Sequence, residues 1–474
     1  MDRYKFNIEA GKGAKYIQIY NHIKKMILKG EIKENEKLPP IRKMADLLDI
    51  NNTTVVKVYE ILENEGYVYK TVGSGTFVSK RKAEKNKKLE DKDWLIHFDN
   101  GNPSNDMFPI EDFKKAINMA LNESGSTIFE YDEGPGNEKL REKIAEYLKR
   151  DNINTSIDNI QIISGAQQGI DIVCKGIINY SDVVFVEEPT YNGAIEVFKS
   201  RGAKIIPIPM LDDGIDIGIL KLKLEKIKPR MIYVMPNYQN PTGISYSEYK
   251  KKKLIELSEE YDFYILEDDF ISDFKFDNEN NRTMRSYDQN GRVIYIKSFS
   301  KIFMPGLRIG TVDIPNELIK RILWAKYSSD ISTPGLIQSS LYYYMNEFDW
   351  DNHMKSVEKI YNSKYRTARE CIDKYFKGKI KTRKSCGGIN FFCELPRGCN
   401  AQEFTEYIYN KGVLILPGYY FYENIIDDRY FRINVAGESV ENIIKGIKII
   451  ADGFDEFILK NKVIENKRSN KVFY

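Results

Sequence analysis

Histidine is scarce in this chain of 474 residues, which has only His22, His97 and His353, none of them in a nucleophile or metal pattern. That argues against a Ser-His-Asp hydrolase and against a histidine-rich metalloenzyme. Any chemistry falls to lysine, carboxylates and a bound cofactor. Cysteine is also sparse, with Cys174, Cys371, Cys386, Cys393 and Cys399 odd in number and without a CxxC pair. This predicts a reduced, cytoplasmic protein with neither a disulfide framework nor a metal site. No apolar run is long enough to span a bilayer. The charged start, MDRYKFNIEAGKG, lacks the apolar core of a secretory signal.

What is present points to a folded, multidomain chain. The length suggests two or three domains, and 42% hydrophobic with 12% aromatic residues is the composition of packed cores. The net charge of +3 hides an asymmetry: residues 1–90 carry 19 Lys+Arg against 12 Asp+Glu, or +7, which leaves −4 for the rest. A basic front end on a mildly acidic body suggests a polyanion partner for the front end alone, although a solvated lysine-rich face would give the same charge.

In residues 1–80, Tyr16, Ile19, Ile23, Met26 and Ile27 recur at helical spacing up to a stop at Gly30. Pro39-Pro40 precede a second helix, Ile41–Leu48, with Met44, Leu47 and Leu48 apolar. Asn51-Asn52-Thr53-Thr54 then stand ahead of Val55, Val58, Tyr59 and Leu62, spaced i, i+3, i+4, i+7 up to Gly66. Tyr67–Thr71 and Thr76–Ser79, joined through Val72-Gly73-Ser74-Gly75, read as a hairpin. Three helices and a hairpin make a winged helix-turn-helix, whose third helix would enter the major groove of double-stranded DNA; a small helical domain with no DNA role would show the same topology. Asn52, Thr53, Val56 and Lys57 fall opposite the apolar stripe and are expected to be exposed. Gly73 and Gly75 would let the wing approach the DNA backbone.

The stretch LPPIRKMADLLDINNTTVVKVYEILENEGYVYKTVGSGTFVS resembles the GntR-type winged helix over its whole length. The resemblance implies that Arg42 grips phosphate and that Asn51, Asn52, Thr53 and Thr54 sit at the groove. Two positions depart from the family pattern: Pro40 replaces a serine, and Asn52 replaces the usual arginine of the recognition helix. Arginine reads guanine whereas asparagine prefers adenine, so the operator is expected to differ from the family's common ones. Residues 81–95 are almost wholly charged and read as a solvated tether.

From residue 96 to 474 helical stretches alternate with short apolar runs: Ile160–Ser164, Val183–Glu187, Ala203–Pro207, Met231–Met235, Phe263–Glu267 and Val293–Lys297. This predicts a mainly parallel α/β sheet with binding groups at the strand ends, and a smaller α/β subdomain in the last hundred residues. Ile160–Ser164 runs into Gly165-Ala166-Gln167-Gln168 and a helix, an arrangement suited to an anion. Tyr191 follows another strand end and offers a ring to stack on. Asp268-Asp269 end a third strand. Ser298-Phe299-Ser300-Lys301, trailed by Pro305-Gly306-Leu307-Arg308-Ile309-Gly310, offers a lysine for a Schiff base and hydroxyls with an arginine for a phosphate.

NPTG (Asn240–Gly243) together with SFSK and PGLRIG resembles the fold-type I aminotransferases, the aspartate aminotransferase superfamily, across residues 96–450. The resemblance implies pyridoxal 5'-phosphate held as an aldimine on Lys301, with Asp268 on the pyridinium nitrogen, Asn240 on O3′ and Tyr191 on the ring face. Gly165, Ala166, Gln167, Ser298 and Arg308 would hold the phosphate, with Ser300 adjacent. Tyr131 matches a tyrosine contributed by the second subunit, and Arg432 the arginine that binds a substrate carboxylate. One departure is Phe270, where many relatives of this architecture carry a tyrosine that supports O3′.

A winged helix, a tether and an aminotransferase-like domain together resemble the MocR/GabR-type regulators. That resemblance implies a homodimeric transcription regulator that senses the cofactor, with or without an amino acid or amine. A working aminotransferase with a secondary DNA-binding domain is the alternative. The intact Asn240 favours it, because such regulators often lose that asparagine; a bifunctional protein fits as well.

Overall fold

The computed structural model describes the chain apart from residues 1–3, 5, 7–14, 29–30, 34, 49, 65–66, 72–74, 80–94, 132–133, 277–281, 424–427 and 470–474. Gly30, Gly66, Gly73 and the tether up to residue 94 therefore lie outside the described residues. The chain divides into two compact units, Met1–Asp93 and Trp94–Tyr474.

In the first unit, α1 (Lys15–Leu28), α2 (Ile41–Leu48) and α3 (Asn52–Asn64) precede an antiparallel hairpin of β1 (Val68–Thr71) and β2 (Gly75–Val78). The apolar faces converge on one core: Ile19, Ile23 and Met26 from α1, Met44 and Leu48 from α2, and Val55, Val58, Tyr59 and Leu62 from α3. Burying each large aliphatic side chain is worth about 1.5–3 kcal/mol, which holds together helices too short to stand alone. Tyr59 spends its hydroxyl on the Pro39 carbonyl at 2.7 Å and so ties α3 to the turn that launches α2. Lys37 forms a single antiparallel bridge to Phe77 beside the two-stranded hairpin.

The second unit is built on an eight-stranded sheet. Its spatial order is Ile160–Ile163, Gly310–Asp313, Val293–Ser298, Tyr264–Asp269, Met231–Val234, Val183–Glu188, Lys204–Leu211, Gly214–Ile215. The pairings from Val293–Ser298 through Lys204–Leu211 are parallel. Gly310–Asp313 is antiparallel to both neighbours and lay hidden in the sequence behind the PGLRIG motif. Six of the eight strands are buried at every residue, as expected of a sheet covered on both faces. One apolar cluster, from Ile170, Val173 and Phe198 to Ile322, covers one face, and a larger cluster covers the other.

A second, four-stranded antiparallel sheet orders Lys381–Thr382, Asn390–Glu394, Tyr430–Asn434 and Leu416–Pro417. It forms the small subdomain with helices Ala401–Tyr409 and Val440–Ser469, and the 27-residue helix Trp350–Phe376 leads into it from the large subdomain. Leu95 and Ile96 are already buried, so this unit takes up the last position read as tether. Ile96–His97 pairs in parallel with Val413–Leu414, and the Phe98 carbonyl accepts from Asn434 N–H at 2.9 Å. Those pairings fix the path of residues 99–102. No helix among the described residues is long and apolar enough to cross a membrane.

Candidate functional site

At the carboxyl ends of the parallel strands lies a cavity of about 310 Å³. Gly101, Asn102, Ala166, Gln167, Tyr191, Met235, Asn240, Asp268, Phe270, Ser298, Ser300, Lys301, Arg308, Asn390, Arg432 and Asn434 all contribute to its wall.

Three consecutive carboxylates, Glu267, Asp268 and Asp269, end the strand Tyr264–Asp269, and strand alternation sends only the middle one into the cavity. Glu267 turns away to accept the backbone N–H groups of Met284 and Arg285, each at 2.7 Å. Asp269 is bound by Tyr295 Oη at 2.5 Å and by the buried ammonium of Lys297 at 3.0 Å. Asp268 Oδ2 accepts from Tyr233 Oη at 2.7 Å, while Oδ1 is buried and has no partner. Burial pushes the Asp268 carboxyl up to about 6, against the opposing Tyr233 hydrogen bond. A buried acceptor left open in this way calls for a cationic N–H donor.

Lys301 follows the neighbouring strand, Val293–Ser298. Its ammonium donates to the Gly101 carbonyl, and its own carbonyl is held by Tyr361 Oη at 2.9 Å. Burial, with Arg432 and Arg308 adding to it, lowers the Lys301 ammonium to about 8. A lysine so depressed has a usable free amine near neutral pH.

Gly165 sits at the N-terminus of helix Ala166–Ile177 with φ 84° and ψ 166°, and it brings no side chain to cap that end. A Cβ there would lie 2.4 Å from Arg308 Nη2, so only glycine lets the guanidinium close over the helix terminus. Arg308 donates to the Ser164 carbonyl at 3.2 Å. With Ser298 and Ser300 beside it, this end of the cavity suits a phosphate. The Gln167 side chain is otherwise engaged: it donates to the Gly193 carbonyl at 2.9 Å and accepts from Tyr191 Oη at 3.0 Å. It orients Tyr191, and what it offers an anion is its place at the helix N-terminus.

Arg432 comes from the small subdomain, where Phe392 lies across from it in the ladder. It donates to Asn240 Oδ1 at 2.9 Å and to the Asp99 carbonyl, while its Nε is buried without a partner. Burial lowers this guanidinium to about 10.

The cavity thus brings together Ala166, Gln167, Tyr191, Asn240, Asp268, Ser298, Ser300, Lys301, Arg308 and Arg432. Gly165 stands behind Arg308, and Tyr131 lies outside the cavity at 79% exposure. Sequence reasoning missed Gly101, Asn102, Asn390 and Asn434, which arrive through long-range pairing, and Tyr233, whose partner lies one strand away.

On the winged-helix unit, Arg42, Asn51, Asn52, Thr53 and Lys57 are exposed. One expectation there needs correction: Val56 is half-buried rather than exposed, as is Thr54, because the stripe that packs on α1 and α2 is wider than the i, i+3, i+4 pattern implied. The Lys57 ammonium lies 4.0 Å from the centre of the Tyr16 ring, a cation–π contact that a DNA phosphate would have to compete with.

An unpaired buried carboxylate oxygen, a lysine of lowered basicity and an arginine-backed helix terminus, grouped at the ends of a mainly parallel sheet, define a pyridoxal-phosphate protein of fold type I. The chain belongs to the aminotransferase class I and II family, which matches residues 94–450; the gntR family of bacterial regulatory proteins matches residues 15–78. It is similar to aromatic-amino-acid aminotransferase 1 of Thermococcus litoralis, at 29% identity over 79% of this chain and 91% of that protein. An uncharacterized HTH-type transcriptional regulator of Bacillus subtilis, YisV, is 26% identical over 92% of this chain and 95% of its own length. The crystal structure of Pyrococcus horikoshii kynurenine aminotransferase in complex with PMP superposes with a TM-score of 0.73 at 30% identity, covering 76% of this chain and 91% of that one. A GntR winged helix joined to an aminotransferase domain is the architecture of the MocR/GabR-type regulators, and its cofactor is pyridoxal 5'-phosphate.

Proposed function

We propose that the chain is a pyridoxal-phosphate-dependent transcription regulator whose second unit senses the cofactor together with an amino acid or amine. The observation that carries this is one chain holding both an exposed Asn51-Asn52-Thr53 face on a winged helix and a cavity lined by Lys301, Asp268, Asn240, Arg308 and Arg432. Bound there, the cofactor supplies an electron sink for carbanion chemistry at an amino acid. Lys301 is the amine that holds its aldehyde carbon, and Asp268 keeps its ring nitrogen protonated. Asn240 donates to its ring oxygen, Tyr191 covers the ring, and Ser298, Ser300, Arg308 and the helix terminus at Gly165, Ala166 and Gln167 hold the phosphate. Arg432 binds the carboxylate of the amino acid.

On DNA, Arg42 meets phosphate, Asn51, Asn52, Thr53 and Thr54 meet the groove, and Lys57 reaches the DNA by leaving the Tyr16 ring, in the cytoplasm where the operator is. The protein acts as a homodimer in which Tyr131 serves the partner's phosphate. Support for this comes from the exposed aromatics Phe129, Tyr131, Trp324 and Tyr327, which a monomer would leave in water.

A second reading, a working aminotransferase, is favoured by one observation, the bond between Arg432 and Asn240 Oδ1 that presets the carboxylate anchor. A shift assay on DNA flanking the gene for this chain tests the first reading. Binding should weaken steeply as salt rises, through release of counterions. Absence of binding at low salt, alongside turnover of amino acids, would favour the enzyme.

A further inference from the structure

Behind the cavity lies a buried polar cluster to which neither the cofactor nor the DNA reading assigns a task. Glu187, next to last in the strand Val183–Glu188, is 1% exposed. Its Oε1 accepts from Met235 N–H at 3.1 Å and from Tyr246 Oη at 2.7 Å, and its Oε2 accepts from Gln239 Nε2 at 2.9 Å. No Lys or Arg pairs with it among the described residues. Burying a carboxylate without a cation is expensive, and burial pushes this one up to about 7.

Three converging donors explain why a carboxylate is needed. A glutamine of the same shape would turn an N–H toward one of them, and bonds to an ionised acceptor are about twice as strong as neutral ones. Gln239 is itself fully buried and spends its whole amide on the same cluster. Its Nε2 also donates to the Pro189 carbonyl at 2.7 Å, and its Oε1 accepts from Thr242 N–H at 3.0 Å and Thr242 Oγ1 at 2.6 Å. Pro189 lies two residues before Tyr191, while Gln239 immediately precedes Asn240. Met235, Tyr191 and Asn240 all line the cavity. One carboxylate and one amide therefore join the two loops that would face the cofactor ring from different sides.

We propose that Glu187 is a positioning residue for the cofactor cavity: acting through Gln239, it locks the Tyr191 loop and the Asn240 loop into one wall. The inference rests on the reading of that cavity as the cofactor site. A purely architectural role would stabilise the fold whether or not the cofactor is bound; a positioning role shows in the cofactor's affinity and in its optical signature.

The test uses the full chain as wild type, Glu187→Gln, Gln239→Leu, the double variant and the milder Thr242→Val. Each is freed of cofactor and titrated with pyridoxal phosphate, followed by visible absorbance and by the circular dichroism of the bound chromophore, with the melting temperature of the cofactor-free protein as control. Each single change at 187 or 239 should weaken binding roughly tenfold and reduce the dichroic band. The double variant should be no weaker than the worse single one, because both act through one link. Thr242→Val should move the same way by a smaller factor, and it keeps the test open if the harsher variants do not fold. Additive losses in the double variant, or folded variants that bind as wild type does, would overturn the proposal. A wild-type chain that binds no pyridoxal phosphate would overturn both this inference and the cofactor reading beneath it.

Discussion

Replacing Gly165 with alanine probes the anion-holding end of the cavity with a single methyl group. The glycine adopts φ 84° and ψ 166°, a region that side chains avoid at a cost of order 1–3 kcal/mol. The new methyl carbon would stand 2.4 Å from Arg308 Nη2 and 2.9 Å from its Cζ. Arg308 cannot move its backbone far, because it caps the Pro305–Leu307 turn in a left-handed conformation at φ 53° and gives its N–H to the Pro305 carbonyl. The side chain must swing out instead, giving up the Ser164 carbonyl and the position over the helix terminus. Losing one charge-assisted contact to a phosphate is worth about 1.5–3 kcal/mol, so pyridoxal phosphate should bind about 10–100-fold more weakly. Titrating cofactor-free protein by visible absorbance measures this, and DNA binding by the winged helix in the same sample shows that the chain is intact. Affinity within about twofold of wild type would refute the cradle formed by Gly165 and Arg308.

Asp268→Asn should have opposite effects on the two forms of the protein. The folded cofactor-free chain holds the Asp268 proton up to about pH 6, from an ordinary value of 3.8. Its stability therefore falls as pH rises through that window, by at most about 3 kcal/mol. The variant should raise the melting temperature of the cofactor-free protein at pH 7–8, with the gain vanishing below about pH 4, while weakening cofactor binding; pH-resolved melting curves and absorbance titrations measure the two effects. Arg432→Ala should leave bare DNA binding intact and abolish any effect of an amino acid on it, as a shift assay with and without amino acids would show. Arg42→Ala should weaken binding to all DNA sequences and flatten the salt dependence, whereas Asn52→Ala should relax base preference by about 1–3 kcal/mol, both read by competition shift assays.

The parts of the fold legible in the sequence are those written in local periodicity. The second helix spans Ile41–Leu48 as read, and each apolar run of the body is the core of a strand. Strand ends were legible too, because polar residues there interrupt a hydrophobic run, which is how Asp268 and Ser298 stood out. The antiparallel strand Gly310–Asp313 was not, since its four residues carry no alternation and its two neighbours come from distant parts of the chain. The same holds for Gly101, which meets Lys301 and Asn434 only because Ile96–His97 pairs with Val413–Leu414 more than three hundred residues away. Nor does sequence reveal that Glu187 and Gln239 share one hydrogen bond, or that Lys57 spends its charge on Tyr16. Half-buried Thr54 and Val56 follow from how closely three helices crowd one another.

The central claim is that the state of the cofactor cavity is read out at the DNA. Its most direct test is the affinity of the wild-type chain and of Lys301→Ala for the DNA flanking its own gene, measured with and without pyridoxal phosphate and an amino acid mixture. Wild type should change its affinity or footprint when the cofactor is added, borohydride should fix the cofactor on Lys301, and Lys301→Ala should bind DNA without responding. DNA affinity indifferent to the cofactor in wild type, or the same response in Lys301→Ala, would contradict the account.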